Sequence, residues 1–271
     1  MQLEIIYIRV YYTCCIQHNM KKPVDGIILV LSCQKHMHTR LREFKLSQNN
    51  FGKWEVVYVI GDLFLENDYE MREGNFLWIK CEDSYIHLLK KLALALKYVH
   101  EIYDIKEGVL RCGDDLIFHE YNLMHFLLGY KADYHGQNLY LNKSILIFDK
   151  DELKKTREDT WMQDYYDEHP EDIKNPHHNL QNVDISKYTR RPVMGFYAFG
   201  TLYYLSNHAC NVVINHMESI RYDVFHLDDF SDSYPYTIED IAIAFIMGLH
   251  DIPFTNDLRL CSVFDHTNKD R

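Results

Sequence analysis

The stretch Val109-Leu110-Arg111-Cys112-Gly113-Asp114-Asp115-Leu116-Ile117-Phe118 places two adjacent carboxylates between two short apolar runs. The first run predicts a buried β-strand, which delivers Asp114 and Asp115 to its carboxyl end. Open α/β sheets bind their ligands at that end of the strands. Adjacent carboxylates repel each other unless a divalent cation or several donors share their charge, so the pair favours a cation-dependent ligand such as a nucleoside diphosphate. The alternative is an ordinary turn, in which Asp114 caps the next element and Asp115 is solvated.

The composition is that of a folded protein rather than a disordered chain. Of the 271 residues, 47% are hydrophobic, which is enough to fill the core of one large domain or two small ones. The 40 acidic and 29 basic residues give a net charge of -11. This charge argues against binding to nucleic acid and to anionic membrane surfaces. A phosphorylated ligand would therefore need a local basic or metal site.

The cysteines and the N-terminal residues indicate a cytoplasmic, soluble protein in a reducing compartment. The seven cysteines are an odd number with no CxxC spacing, and most of them lie in apolar runs. Residues 3–12 alternate in polarity and carry charge, which predicts an edge strand rather than a signal peptide. No later run reaches the roughly 20 apolar residues of a membrane span. The glycosylation sequon at Asn142 is then incidental.

The order of the apolar runs predicts an α/β fold. Continuous runs at 26–32 and 54–62 predict strands buried on both faces, separated by a helix-length segment. A third strand is predicted at 75–80, and Asp83-Ser84 is expected to cap a helix that extends to Tyr103. These elements predict a single domain with a central mixed, mostly parallel sheet flanked by helices.

The second half of the chain contains three informative segments. Residues 149–191 are polar and without a sustained period, which is typical of either a functional loop or a plain insertion, and their paired histidines at 177–178 lack the spacing of a zinc site. Residues 192–206 form a strand-like aromatic stretch with two glycines, and a helix follows from Ser206 to Glu218. A further helix is predicted at 237–247, with Thr237 as N-cap and Asp240 at the capping-box position; capping alone could explain Asp240.

Taken in this order, four motifs resemble the β-1,3-galactosyltransferase and fringe-like glycosyltransferases, the family 31 type with a GT-A fold. The matching stretches are Asp83-Ser84-Tyr85 with Leu88 and Lys91, Arg111 to Phe118, Gly195 to Ser206, and Glu239-Asp240-Ile241. In the family these look like a D-S-Y-x-x-L-x-x-K helix start, a strand that ends in D-D-D, a glycine-rich aromatic strand and an E-D helix start. The resemblance implies a GT-A catalytic domain at 26–271, with 1–25 as an N-terminal edge strand or extension.

The resemblance implies an inverting, metal-dependent transferase. Such an enzyme moves a hexose or N-acetylhexosamine (galactose, N-acetylglucosamine or glucose) from a UDP-sugar to a hydroxyl of a glycan or glycosylated acceptor, with a β-1,3 linkage. By position, Asp115 would bind Mn²⁺ or Mg²⁺, with Asp114 beside it as a second metal or donor ligand. His266 is placed like the histidine that often completes the metal shell in the family, whereas His250 follows its helix too closely.

The remaining site residues also come from the resemblance. Asp240 would be the general base that removes a proton from the acceptor hydroxyl, with Glu239 as the alternative. Ser32, Arg40 and Asp62 are placed at or after the first two strands, where GT-A folds usually hold the uridine.

The chain departs from the family in three respects. Gly113 replaces the first acid of the triplet, and the family's membrane anchor and lumenal disulfides are missing, which suggests a bacterial or viral-type intracellular relative. Residues 149–191 have no obvious counterpart and are a candidate acceptor-site lid. Their aromatic side chains either stack on a sugar face or tether the loop, and they are Trp161, Tyr165 and Tyr166.

Two other functions are compatible with the same residues. A nucleotidyltransferase on a similar scaffold would use the carboxylates and a metal, but it would need a basic glycine-rich loop after the first strand, and residues 32–36 contain no glycine. A non-catalytic glycan-binding protein would retain the fold without turnover. The sequence does not predict an oligomeric state.

Overall fold

The computed structural model describes residues 21–44, 51–257 and 259–263. Its strands are β1 (Lys22–Leu31), β2 (Trp54–Gly61), β3 (Tyr69–Arg72), β4 (Phe76–Ile79), β5 (Tyr103–Cys112), β6 (Leu116–Phe118), β7 (Tyr134–Gly136), β8 (Ile145–Leu146), β9 (Thr156–Glu158), β10 (Arg190–Pro192), β11 (Leu202–Ser206), β12 (Phe254–Asn256) and β13 (Cys261–Val263). Nine of them form one sheet in the order β3-β4-β2-β1-β5-β11-β7-β12-β8. Two small two-stranded ribbons, β9 with β10 and β6 with β13, lie outside it.

Helices cover both faces of this sheet. They are α1 (Arg40–Glu43), α2 (Leu88–Ile102), α3 (Glu120–Leu128), α4 (Lys150–Leu153), α5 (Trp161–Glu168), α6 (Pro170–Lys174), α7 (Asn207–Ser219) and α8 (Glu239–Leu249), with short 3-10 turns at Gln34–His36 and Ile185–Lys187. Alternate residues of β1 face opposite sides: Ile27 and Leu29 pack in the core with α2, α7 and α8, whereas Ile28 and Val30 pack in the core with α1 and α3. This two-sided burial explains why the run carries no polar alternation.

The sheet is mixed, as the sequence predicts, but it is not mostly parallel. The neighbours β4, β2, β1 and β5 run parallel to one another. Beyond β5 the direction changes, because β11 pairs with β5 and with β7 in the antiparallel sense. Four of the eight neighbouring pairs are parallel. The parallel half therefore places the carboxyl ends of β1, β2 and β5 at one edge.

Two predicted helix starts are wrong by a few residues. The helix expected after Asp83-Ser84 begins at Leu88, because the Asp83 carboxylate accepts hydrogen bonds from Gly61 N (3.0 Å) and Lys91 Nζ (2.8 Å) instead of capping. The helix expected from Thr237 begins at Glu239 without a side-chain cap. In the first case tertiary partners take the carboxylate that the local pattern assigns to a cap. In the second case the Thr237 hydroxyl donates to Tyr234 O at 3.3 Å instead of capping the helix.

The aromatic stretch at 192–206 is a strand only at its two ends, where Pro192 closes β10 and Leu202–Ser206 form β11. The helix after it is confirmed: α7 follows directly, and Ser206 Oγ accepts a hydrogen bond from Ala209 N at 3.2 Å. The strands at 54–61 and 76–79 also lie where the apolar runs predict them.

Residues 149–191 are ordered into short elements rather than a bare loop. Helices α4 to α6 and the ribbon of β9 and β10 lie within this segment. Met162, Tyr166 and Leu180 form a small core with Ile86, which anchors the segment next to the start of α2. His178, the second of the paired histidines, is only 7% exposed, so it is not an ordinary solvated loop histidine.

Several predictions concern the chain ends and the cysteines. The edge strand predicted at 3–12 and the metal ligand His266 lie outside the described residues. No helix within the described ranges combines the length and the apolarity that a bilayer crossing requires. The five cysteines of the described residues are free thiols, and three of them are buried: Cys81, Cys112 and Cys210.

Candidate functional site

A cleft of about 590 Å³ opens where β1 and β5 end. Its lining comes from the segment after β1, the start of α2, the turn after β5, the 149–191 segment and the start of α8. Six of the residues predicted to bind the metal or the donor or to act in catalysis line it: Ser32, Arg40, Asp114, Asp115, Glu239 and Asp240. The structure thus brings the two carboxylate motifs of distant parts of the chain to one cavity.

The pairing of β1 with β5 determines how the first carboxylate is held. Val30 is in parallel register with Cys112, so the residues that follow the two strands are neighbours. Ser32 Oγ donates a hydrogen bond to Asp114 Oδ2 at 2.6 Å. Asp114 is only 6% exposed, and its hydrogen-bond partners replace the water that burial removes.

Two basic side chains from the segment after β1 also reach Asp114. His36 Nδ1 lies 3.2 Å from Oδ2, and Arg40 Nη1 lies 3.5 Å from Oδ1. Burial acts to raise the pKa of Asp114, but the hydrogen bonds from His36 and Ser32 outweigh it and hold this pKa below its ordinary value. The same hydrogen bond raises the pKa of His36 to about 9, so His36 is protonated at neutral pH.

Asp115 is the more open carboxylate of the pair. Its side chain is 33% exposed, and Oδ2 lies 3.9 Å from Arg40 Nη1. A Cβ at Gly113 would come within 2.8 Å of Asp115 Oδ1, closer than side-chain atoms normally approach. The absence of a side chain at Gly113 therefore allows the Asp115 carboxylate to fold back over the turn.

A buried ion pair connects the end of β5 to the start of α8. Arg111 Nη2 lies 3.0 Å from Glu239 Oε2, and the guanidinium also donates to the carbonyl oxygen of Gly200. Tyr203 donates its hydroxyl proton to Glu239 Oε1. Burial raises the pKa of Glu239 to about 7, and the neighbouring Asp240 adds to the rise, while Arg111 opposes it.

Asp240 lies in the first turn of α8, beside the buried pair. Its Oδ2 accepts a hydrogen bond from Gly200 N at 2.8 Å, and its Oδ1 accepts one from Ile241 N at 2.8 Å. Burial raises the pKa of Asp240, and the backbone donors and Arg111 oppose this effect. A carboxylate with a raised pKa, fixed by two backbone donors at a cleft, is suited to accept a proton from a ligand.

Lys91 connects the segment after β1 to the start of α2 at the base of the cleft. It is 2% exposed and donates to Ser32 O at 2.7 Å and to Asp83 Oδ1 at 2.8 Å. Asp83 Oδ2 accepts a hydrogen bond from Gln34 N at 2.8 Å. The resemblance to a D-S-Y-x-x-L-x-x-K helix start thus corresponds to a structural ion pair that fixes the segment after β1 against α2.

The segment 149–191 supplies the opposite wall. Tyr165, His169, Asp172 and His178 line the cleft from this side. Asp172 approaches Lys35 (3.5 Å) and the Tyr165 hydroxyl (3.3 Å). His178 is buried, and its Nδ1 has no hydrogen-bond partner among the described residues.

Asp62 follows β2 and does not line the cleft. Its Oδ1 accepts a hydrogen bond from Phe64 N at 3.1 Å and lies 3.4 Å from His177 Nδ1. Ser32 lines the cleft, but its hydroxyl already donates to Asp114. Of the residues expected near a uridine, Arg40 is the one that presents a charged, half-exposed group to the cleft.

Several important side chains were missed from the sequence. Arg111 carried a signal, since a lone charged residue inside a fully buried strand usually has a buried partner. His36 and Tyr203 carried none, because a histidine after a strand and a tyrosine in an aromatic run are common. The roles of His36 and Tyr203 follow from their partners Asp114 and Glu239, which lie far away in the chain.

The charges that line the cleft nearly balance. Six carboxyl groups face five basic groups, with the protonated His36 included: Asp83, Asp114, Asp115, Asp172, Glu239 and Asp240 against Lys35, His36, Arg40, Lys91 and Arg111. A ligand with two or more negative charges therefore gains no net attraction from the cleft alone and would be favoured by an added cation.

The donor chemistry fits a hard divalent cation. Asp115 presents carboxylate oxygens, the ligand type that Mg²⁺ and Mn²⁺ prefer, and Asp114 is adjacent but largely occupied by its own partners. No group of three or more His, Cys, Asp or Glu side chains in the described ranges is arranged as a ready-made metal site. Asp115, with Asp114 beside it, would hold such an ion.

Comparison with known proteins does not assign a family. No protein-family model matches the chain, and no curated protein matches its sequence.

Proposed function

We propose that this protein is an inverting, metal-dependent glycosyltransferase of the GT-A type. It would transfer a hexose or N-acetylhexosamine from a UDP-sugar to a glycan hydroxyl. The observation that carries the proposal is the meeting of Asp115, at the carboxyl end of the parallel strand β5, and Asp240, at the start of α8, in one cleft. The nearly balanced lining charge supports a cation as part of the donor complex.

The donor diphosphate is assigned to the Asp115 side of the cleft. Asp115, with Asp114 beside it, would hold Mn²⁺ or Mg²⁺, which neutralises the charge of the departing nucleoside diphosphate when bound. Arg40 and the protonated His36 lie at the same place and offer charged donors to phosphate oxygens. Asp114 keeps both basic groups in position through its buried contacts.

Asp240 is assigned as the group that removes the proton of the acceptor hydroxyl. The acceptor oxygen forms a bond to the anomeric carbon, the bond from that carbon to the phosphate oxygen breaks, and its electron pair leaves with UDP. Asp240 takes the hydroxyl proton during this single displacement, which inverts the anomeric centre. Gly200 N and Ile241 N hold the carboxylate for this step. Glu239 is bound to Arg111 and Tyr203, so it is less suited to the same role.

The test is a product assay on the purified protein with a panel of UDP-sugars and saccharide acceptors, with and without Mn²⁺. Release of UDP together with a glycoside product is expected for one donor and only with metal. Asp115→Ala and Asp240→Asn should abolish transfer, whereas the control Asp151→Asn, an exposed residue outside the cleft, should not.

The same assay separates the alternatives. Release of pyrophosphate from a nucleoside triphosphate and a sugar phosphate would identify a nucleotidyltransferase and contradict the proposal. Saccharide binding without turnover of any donor would identify a glycan-binding protein. Transfer that persists in Asp240→Asn would remove Asp240 as the base.

A further inference from the structure

Helix α5 has two aromatic faces with different surroundings. Met162 and Tyr166 are buried on Ile86, and the Tyr166 hydroxyl accepts a hydrogen bond from Ile86 N at 3.2 Å. This face attaches the helix to the domain. The other face carries Trp161 and Tyr165, and Tyr165 also packs against the edge of this small core.

The second face forms a stack of nearly parallel rings. Trp161 and Tyr165 have ring centroids 5.6 Å apart with planes at 13°, and Tyr165 and His169 are 4.5 Å apart with planes at 16°. The spacing of four residues along α5 and into its end aligns the three rings. Tyr85 packs against Tyr165 (4.8 Å) and Trp161 (5.0 Å) from the start of α2. We call Trp161, Tyr165 and Tyr85 the aromatic platform.

Two rings of the aromatic platform belong to the cleft lining, whereas Trp161 adjoins both of them outside it. Tyr85 and Tyr165 line the same cavity as Asp240. Burial raises the pKa of Tyr85, and the carboxylates of Asp240 and Glu239 add to this rise. The outermost ring, Trp161, remains 42% exposed.

A polar group beside the platform also lacks a partner. His178 lines the cleft and is 7% exposed, and its Nδ1 makes no hydrogen bond within the described residues. Burial lowers the pKa of His178, so its imidazole is neutral at neutral pH. A buried nitrogen without a partner is costly unless a ligand or water satisfies it.

We infer that the aromatic platform, with His178 at its edge, is the subsite for a pyranose ring of the acceptor glycan. The inference rests on the proposed transferase function and adds the acceptor site to it. The weakly positive C–H face of a sugar packs on the negative face of an aromatic ring, while hydroxyl groups at the ring edge require hydrogen-bond partners such as His178 and Asp172. Because Tyr85 and Tyr165 share the cleft with Asp240, a sugar bound on them would lie in the same cavity as the proposed base.

The test uses the intact protein saturated with UDP and Mn²⁺, titrated with methyl β-D-galactopyranoside, methyl β-D-glucopyranoside and N-acetylglucosamine. Binding is followed by tryptophan fluorescence and by saturation transfer from the protein to the sugar C–H protons. Trp161 is the most exposed tryptophan of the chain, since Trp54 is 5% exposed and Trp78 is half-buried under Arg72, so a bound sugar should change its emission.

Trp161→Ala should weaken binding of the responding sugar about tenfold, and Trp161→Phe should recover most of the affinity, because a ring is restored. Both affinities are measured by saturation transfer, because these variants lack the indole that reports binding by fluorescence. The matched control is Tyr130→Ala, which removes an aromatic ring that is 91% exposed and outside the cleft. The sugar affinity of Tyr130→Ala should equal that of the wild type. All variants should bind UDP with Mn²⁺ as the wild type does.

The outcomes separate this inference from the proposed function. If the wild type transfers sugar and Trp161→Ala has the same acceptor KM, the aromatic platform is not the acceptor subsite. This result would not contradict the transferase proposal. Sugar binding that depends on Trp161, without turnover of any UDP-sugar, would support the aromatic platform as a sugar-binding site and contradict the transferase proposal. If no sugar in the panel binds to the wild type, the inference is wrong.

Discussion

Arg111 Nη2 lies 3.0 Å from Glu239 Oε2, and both side chains are almost fully buried. Arg111 belongs to β5, which ends one residue before Gly113 and the Asp114-Asp115 pair. Glu239 is the first residue of α8 and directly precedes Asp240. The ion pair therefore determines how far the two carboxylate motifs of the cleft lie from each other.

Arg111→Met should destabilise the protein by about 3–5 kcal/mol, because it leaves the Glu239 carboxylate buried without its charged partner. The double variant Arg111→Met with Glu239→Leu should lose clearly less than the sum of the two single losses, since no unpaired charge remains. Urea unfolding of the four proteins measures both quantities. Additive losses would show that the pair is not coupled.

Glu239 should make stability depend on pH between its ordinary pKa of 4.5 and its folded value of about 7. Burial raises the folded pKa, so the folded protein binds more protons than the unfolded chain in this window, and the contribution of Glu239 falls as pH rises through it. Comparison of unfolding midpoints for wild type and Glu239→Gln from pH 4 to 8.5 isolates the effect. A difference that stays constant across this range would contradict the shifted pKa.

The strands of the parallel half could be predicted because burial leaves a local signature. Ile27, Ile28, Leu29 and Val30 are fully buried on alternating faces, so none of them can be polar. The carboxylates after β5 indicated the position of the cleft for a related reason, since polar residues at strand ends lie at one edge of a parallel sheet. The antiparallel position of β11 was not predictable, because pairing partners are set by distant contacts.

The two helix starts and the short helices of the 149–191 segment were not predicted correctly, because the contacts that determine them are not visible in the local sequence pattern. Asp83 has the sequence of an N-cap, but Lys91, Gly61 N and Gln34 N offer it stronger buried partners. In the 149–191 segment, each helix has at most eight residues, so no hydrophobic period develops. Its anchor on Ile86 depends on tertiary contacts alone.

His36 should stabilise the protein at low and neutral pH and lose this effect in the alkaline range. Its hydrogen bond to Asp114 raises its folded pKa from 6.5 to about 9. The stabilisation is therefore complete below pH 6.5 and disappears as pH rises through about 9. Thermal midpoints of wild type and His36→Gln should converge over this interval. The control is His38→Gln, an exposed histidine nearby, which should show no convergence of this kind.

Gly200→Ala should reduce kcat of the proposed transfer about tenfold while the KM for the donor stays unchanged. A Cβ at this position would lie 3.2 Å from Asp240 Oδ2, so the carboxylate must move by a few tenths of an ångström. Steady-state kinetics with the responding UDP-sugar measure both constants. An equal rise in the donor KM would place Gly200 at the donor instead of at the base.

Gly113→Ala should weaken metal-dependent UDP binding about tenfold and barely change stability. The added Cβ would come within 2.8 Å of Asp115 Oδ1, and the side chain of Asp115, which is 33% exposed, can rotate away at little cost to the fold. Calorimetric titration with UDP at several Mn²⁺ concentrations measures the affinity, and thermal unfolding measures the stability. Gly195→Ala is the matched control, because a Cβ there meets only an ordinary contact at 3.9 Å. Unchanged UDP binding in Gly113→Ala would mean that the position of the Asp115 carboxylate is not important for the nucleotide, and the metal would then have to be assigned elsewhere.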